Sequence, residues 1–534
     1  MELFQTILQL LGGLAIFIFG VELLSEGLEK AAGNKLLTFL EKAAGNPIKG
    51  MLFGTAAVGV LQSSGMLMVT MIGLINASML TFEQAVGVML GAEIGTTITG
   101  QIASLDLKSI DLLFLVSGFF ILFFAKNKKW QYVGQPLFGV GLVFLAIRMM
   151  SSAGTELSQL PAFRILCESL SRNVVLGVLV GAVITANIHS SSAMTGLVIA
   201  MGSAGSISLV AAISLILGAN IGTCFTGWLA SLKSSLNAKR ASYAQILINI
   251  GGVLLFLPFI RPFSNFVATT SDLLPRQIAN AHTIFNIAVS LIFLPLVKPL
   301  TRLVKGLVRS SGGEKEKQLT KFIDDQFLAS PFIAVSMARE EVLRMGALTY
   351  QMLKDAEKGF VAGKSKHSMA AIEREPDIDE IGHRLNRFME NIPGDKLNPD
   401  ERAGLEKLKH LVTDIERVGD HAFNLAEFAL RMEKKGIKFT KFAHKELELL
   451  FETVADNYSH SLESFKKGDR ILMDQVIASE DDVDEMEKRF KKNHVNRLRK
   501  GLCQPEADPI YVETLRNLER ISDHSYNIAL SLIY

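Results

Sequence analysis

Two polar elements occur twice in the first 232 residues, at the same spacing each time. Gln62-Ser63-Ser64-Gly65 is followed by Gly91-Ala92-Glu93-Ile94-Gly95-Thr96-Thr97, and His189-Ser190-Ser191-Ser192 by Gly218-Ala219-Asn220-Ile221-Gly222-Thr223-Cys224, 29 residues from first position to first position in both. Oxygens freed where a helix breaks are hard ligands of the kind Na⁺ takes, while helix N-termini and Ser or Thr O–H groups donate to an oxyanion. The predicted substrate and ion site therefore comprises Gln62, Ser63, Ser64, Glu93, Thr96, Thr97, His189, Ser190, Ser191, Ser192, Asn220 and Thr223. Small hydroxylated residues also serve simply to let membrane helices approach. Recurrence at equal spacing favours the binding reading.

Carboxylates offer a second chemistry. Glu375/Asp379, Glu416/Asp420, Glu480/Asp484 and Glu519/Asp523 are four i, i+4 pairs, so on a helix each pair points two carboxylates in one direction. Two such helices face to face make an oxygen-rich metal cage. An acidic helix face is more often merely solvated, but the Glu-Arg-x-x-Asp-His pattern at 416–421 recurs at 519–524, an offset of 103. His421 and His524 are placed either to join the metal or to cap the surface, and Pro376 reads as a first-turn residue.

The elements that must position these groups come in two kinds. Apolar segments long enough to cross or enter a bilayer lie near 5–24, 50–75, 84–104, 110–125, 131–150, 174–202, 208–232, 241–260 and 280–300. Residues 54–105 align without a gap on 181–232 at an offset of 127, with 11 of 16 positions identical between 90–105 and 217–232. Three basic loops (Lys126, Lys128, Lys129; Lys233, Lys239, Arg240; Lys298, Arg302, Lys305, Arg309) are expected on the cytoplasmic side. Five apolar segments separate the first from the third, so one must enter and leave by the same face, and 174–202 is the best candidate. The two copies then run in opposite senses, an arrangement that places substrate and ions between the repeats on broken helices. Arg148 and Arg276, near segment ends, could draw an anion or simply snorkel to headgroups.

Charge divides the chain as sharply as hydropathy does. The first 300 residues hold 17 Lys/Arg and 12 Asp/Glu of the totals of 55 and 53. Charge is costly in lipid, so residues 1–300 read as a membrane domain, 301–330 with Ser310-Ser311-Gly312-Gly313 as a linker, and 331–534 as a soluble helical domain. Cys167, Cys224 and Cys503 show no ligand or disulfide spacing, and Met1-Glu2 lacks the basic start of a cleaved signal. Neither a P-loop nor nucleophile logic is present, so an enzyme or ATP-driven pump is not expected.

The QSSG and HSSS elements, GAEIGTT and GANIGT, the opening Gly12–Gly20 stretch, Asn46-Pro47 and Ala281-His282-Thr283-Ile284-Phe285-Asn286 together resemble type II sodium/phosphate cotransporters over about 5–300. The repeated ERxxDxxxN pattern resembles the PhoU family over about 330–534. These resemblances imply an all-α chain: a polytopic membrane domain with inverted repeats and re-entrant or broken helices, then a PhoU-like bundle of two three-helix halves. They imply a sodium-dependent inorganic phosphate symporter, multi-pass in the inner (plasma) membrane, with its regulatory domain in the cytoplasm. The eight acids would hold a divalent or iron metal cluster. A homodimer and phosphate-signalling proteins are admitted as partners; nucleic acid is not. Export of phosphate, carriage of another oxyanion, and a phosphate-responsive receptor stay open. Gly65, His189 and Glu93 stand where that family usually has Ser, Gln and Asn, and the last two open a route to proton coupling.

Overall fold

The computed structural model describes residues 2–32, 46–76, 80–105, 110–232, 235–309, 319–329 and 331–532. Among them there are helices and no strand, in two compact units, Met1–Gly313 and Glu314–Tyr534. The Ser310–Gly313 stretch and Lys233 lie outside the described residues.

The first unit begins with α1 (Glu2–Ala32), α2 (Pro47–Leu61), α3 (Ser64–Asn76), α4 (Phe82–Gly95), α5 (Thr97–Ala103) and α6 (Ile110–Phe124). It continues with α7 (Lys128–Leu157), α8 (Pro161–Arg172), α9 (Val174–Ile188), α10 (Ser191–Ser203) and α11 (Leu209–Ser231). It closes with α12 (Leu236–Phe256), α13 (Ile260–Ala268), α14 (Leu274–Phe293) and α15 (Val297–Leu307). Four helices are long and apolar enough to cross a membrane, six if each of two bent pairs counts as one span.

The 127-residue offset holds element by element. Asn46 and Asn173 cap α2 and α9 by accepting from the N–H three residues on, and Thr81 and Ser208 do the same for α4 and α11. Helices α2 and α9 have 15 residues each, and α3 and α10 have 13 each. One difference is that α11 runs continuously where its counterpart divides at Thr96 into α4 and α5.

The 50–75 segment, read from hydropathy as one run, is broken at Gln62-Ser63 just as 174–202 is broken at His189-Ser190. The residue responsible takes a left-handed backbone in both: φ 57 at Gln62 and φ 59 at His189, the two non-glycine residues with positive φ among those described. A side chain there costs about 1–2 kcal/mol, so the surroundings must hold it in place. Part of the hold is a glycine seam. Cβ atoms added at Gly54 and Gly91 would sit 2.1 and 1.9 Å from carbonyl oxygens of the facing helix, and at the repeat-related Gly181 and Gly218 2.2 and 2.1 Å. The broken helices α2 and α9 thus lie backbone to backbone on α4 and α11. Further support comes from α1, whose fully buried Phe17 fills the space beside Gly196 of α10.

The second unit comprises α16 (Pro331–Val361), α17 (Ser365–Glu390), α18 (Pro399–Lys435), α19 (Lys441–Lys467), α20 (Arg470–Arg499) and α21 (Asp508–Leu530), two sets of three. Apolar residues at helical spacing, such as Leu408, Leu411, Val412, Ile415 and Val418 on α18, bury one stripe against neighbours. Asn398 and Glu401 form a capping box at its start, and Gly436 with φ 65 ends it. Pro376 does not sit in a first turn: α17 runs through it. The ring has no N–H for the carbonyl of Ile372, and the helix persists because its apolar stripe is buried on both sides of the proline, at Ala371 and Ile378.

Candidate functional site

Each helix break builds the same local set of groups. In the first repeat the Gln62 amide donates to the carbonyl of Gly59 at 2.5 Å and accepts from the hydroxyl of Thr99 on α5. Ser25 of α1 donates to the carbonyl of Leu61 at 2.8 Å. Ser63 Oγ accepts from the N–H of Met66, and Ser190 Oγ from that of Ala193, so each serine caps the helix that restarts after the break. The Ser64, Ser191 and Ser192 hydroxyls make no hydrogen bond to protein among the described residues, which leaves them open to a ligand. His189 is exposed.

The second polar element of each repeat is held by amides that sequence reasoning did not single out. Glu93 Oε1 accepts from Gln245 Nε2 at 3.1 Å and Asn249 Nδ2 at 3.0 Å, both on α12. Ser64, Glu93 and Gln245 line one small cavity of about 10 Å³, room for a single water-sized sphere. In the second repeat, buried Asn220 donates to Asn286 Oδ1 at 3.2 Å, and its Oδ1 lies 3.3 Å from His282 Nε2. Thr283, next to His282 on α14, donates to Thr97 Oγ1 at 3.1 Å and accepts from Gln101 at 2.8 Å. Helix α14 therefore joins the two repeats, bonding Thr97 of one and Asn220 of the other. Thr96 and Thr223 instead return their hydroxyls to carbonyls of their own turn, Glu93 and Ala219. The i, i+4 amides Gln245/Asn249 and the His282/Asn286 pair, polar on otherwise apolar helices, are the signal that would have found these partners.

A larger cavity, about 860 Å³, opens beside the ends of α5 and α10, lined by Ser104, Asp111, Arg148, Ser203 and Asp272 among others. Arg148 is paired with buried Asp111 at 2.7 Å, and Arg276 donates to Gln101 O and Ser104 Oγ, both at 3.0 Å. Neither arginine is a bare headgroup anchor.

In the second unit the acids gather as their spacing predicts. Glu375, Asp379 and Asp420 bring three carboxylate oxygens within 4.8 Å of one another. Glu416 joins them electrostatically: burial first, then the charges of Asp379 and Asp420, hold its carboxyl above the usual range. Burial and then Asp379 do the same to Glu375 and Asp420. Across the unit Glu480, Glu519 and Asp523 are likewise raised, by burial first and by charges that include Asp484. Asp484 also meets Lys488 at 2.8 Å. Crowded, half-buried carboxylates that repel one another fit a multivalent cation. The histidines do neither of the things expected of them. His421 Nδ1 lies 2.8 Å from Asn517 Oδ1 and His524 Nδ1 2.9 Å from Asp414 Oδ1, with the two rings stacked at 5.9 Å. Since 414 and 517 are themselves 103 apart, these are two symmetry-related clasps between the halves.

An all-helical membrane unit with paired broken helices, followed by a bundle carrying two sets of acids, has the architecture of an inverted-repeat carrier with an attached helical domain. The Na⁺/Pi-cotransporter family matches residues 16–152 and 151–269, and the PhoU domain matches 342–429 and 447–532. The chain belongs to the Na⁺/Pi-cotransporter family and carries a PhoU domain. It is 23% identical over 530 residues to a Salmonella typhimurium protein named "Putative inorganic phosphate export protein YjbB", covering 99% of this chain and 97% of that one. It is 31% identical to YqeW of Bacillus subtilis, over 49% of this chain and 86% of that one. A PhoU homologue of Thermotoga maritima is 27% identical over 38% of this chain and 86% of its own length.

Proposed function

We propose that this chain is a secondary carrier of inorganic phosphate, coupled to Na⁺, in the plasma (inner) membrane, with its PhoU-like unit in the cytoplasm. The observation that carries the reading is the pair of left-handed breaks at Gln62 and His189, 127 residues apart, each followed by a serine-capped helix start. Carbonyls released at the ends of α2 and α9 suit Na⁺; N–H groups and serine hydroxyls at the starts of α3 and α10 suit phosphate. With both broken segments entering and leaving by one face, the three basic loops fall on the same side. The 860 Å³ cavity then opens on the opposite side, as an aqueous vestibule.

Glu93 supplies a negative charge to the first repeat where the second has neutral Asn220. A carboxylate beside a water-sized space suits the coupling cation, Na⁺ or a proton. The acid clusters of the second unit would hold a divalent or iron cluster through Glu375, Asp379, Glu416 and Asp420 and through Glu480, Asp484, Glu519 and Asp523. Bound there, the metal would neutralise the repulsion and stiffen the bundle.

Flux of labelled phosphate in proteoliposomes under an imposed Na⁺ gradient tests the reading. Na⁺-driven accumulation is expected. Net efflux independent of Na⁺ would favour export, the activity in the name of the full-length relative from Salmonella. Phosphate binding without flux in either direction would leave a receptor.

A further inference from the structure

We infer that α15 is an anionic-lipid sensor: a helix lying in the membrane plane whose basic stripe binds phospholipid headgroups of the leaflet facing the basic loops. The inference rests on the membrane reading above, but not on transport.

Helix α15 turns 81° away from α14 and presents three distinct faces. Val297, Leu300 and Val304 are buried against α4 and α12. Lys298, Arg302 and Lys305 are exposed, and at 3.6 residues per turn they fall in an arc of roughly 60°. Leu303 and Leu307, 53% and 58% exposed, lie on the order of 150° from that arc, on the far side of the buried face. A helix packed sideways on the bundle, with cations on one flank and leucines on the other, matches an interface with headgroups above and acyl chains below. Among the described residues no carboxylate pairs with Lys298, Arg302 or Lys305. Arg240 donates to the carbonyl of Val308 at 3.2 Å and ties down the helix end.

Helix α8 makes the contrast. It too is bent, by 113°, from the next helix, and exposes Ile165 and Leu166, but its Arg172 is paired with Glu168 at 3.6 Å. By the basic-loop assignment α8 and α15 lie on opposite membrane faces, and only α15 has an acid-free flank. Its stripe spans about 10 Å along the axis, wider than one inorganic phosphate and suited to adjacent headgroups.

Two readouts on the full-length protein test this. In native mass spectrometry with equimolar phosphatidylglycerol and phosphatidylcholine, the wild type should retain phosphatidylglycerol. K298Q/R302Q/K305Q should lower that preference roughly 100-fold, about fivefold per cation. K298R/R302K/K305R should keep it, and R302Q alone, should the triple variant misfold, should lower it about fivefold. An unchanged preference in the neutral variants, or displacement of the lipid by millimolar inorganic phosphate, overturns the inference. Separately, L303W with Trp130 and Trp228 replaced by Phe should be quenched by brominated acyl chains in vesicles. An unquenched signal means protein, not lipid, covers this flank, and also overturns it. Both readouts are independent of phosphate flux, so a failed carrier reading would not mimic either result.

Discussion

At position 62 the usual order of alanine and glycine should reverse. In a helix interior Gly is about 1 kcal/mol worse than Ala. Gln62 is left-handed at φ 57, which costs a side-chain-bearing residue about 1–2 kcal/mol and costs Gly almost nothing. Against that stands about 0.4–1 kcal/mol from the greater freedom of Gly in the unfolded chain. Gln62→Gly should therefore be more stable than Gln62→Ala by about 1 kcal/mol. Both lose the Gly59 and Thr99 hydrogen bonds, about 0.5–1.5 kcal/mol each, and fall below the wild type or level with it. His189, at φ 59, has no side-chain bond of this kind to lose, so His189→Gly should equal or exceed the wild type by about 1 kcal/mol. The assay is the apparent thermal midpoint of the full-length protein in detergent, where about 1 kcal/mol moves the midpoint roughly 2 °C. Phosphate uptake should fall in all the Gln62 variants whatever the midpoint does. Ala matching or exceeding Gly at both positions would mean that these segments are not broken by left-handed residues, and the proposed site would go with them.

The remaining expectations concern charge, metal and packing. Glu93→Gln keeps an acceptor for Gln245 and Asn249 but removes the charge; half-saturating Na⁺ or the pH profile of uptake should move at least about tenfold, about 1.4 kcal/mol. Unchanged dependence on both would remove Glu93 from coupling. In the second unit the carboxyls of Glu375, Glu416 and Asp420 hold protons to higher pH than in the unfolded chain. Their contribution to metal-free stability is thus full below the ordinary carboxylate range, near 4, and is lost as pH rises through the raised values. Saturating Mn²⁺ or Fe²⁺ near neutral pH should restore about 2.7 kcal/mol at 100 times Kd, roughly 5–10 °C. Asp420→Asn should raise the metal-free midpoint and cancel the metal increment; elemental analysis without stoichiometric metal would argue against the cluster. Gly91→Ala and Gly218→Ala should each destabilise by about 1–3 kcal/mol or more, read as lost monodisperse yield, whereas Gly65→Ala, with open space around it, should not.

Much of this was legible because both domains repeat themselves. Equal spacing exposed the two polar elements, and the i, i+4 acids identified helix faces that do come together. The break at Gln62 was not legible from hydropathy: four polar or small residues barely dent a 26-residue apolar window, and a left-handed φ leaves no periodic trace. Gln245, Asn249 and His282 partner the predicted residues from helices outside the aligned repeat, so alignment could not reach them. Pro376 misled because proline usually opens a helix, and buried flanks can carry a helix through one.

The coincidence of boundaries has a consequence for how this molecule can change. Between Asn46 and Ala103, and again between Asn173 and Ala230, the two copies now differ at most positions outside the GAEIGTT and GANIGT stretches, yet neither has gained or lost a residue. What has been inherited there is a count. A single-residue deletion within either window rotates everything beyond it by about 100° and carries the serine cap off its break. Substitutions should therefore accumulate in these windows while deletions are rejected, and in a deletion scan these two windows should stand out as closed intervals of nearly equal width.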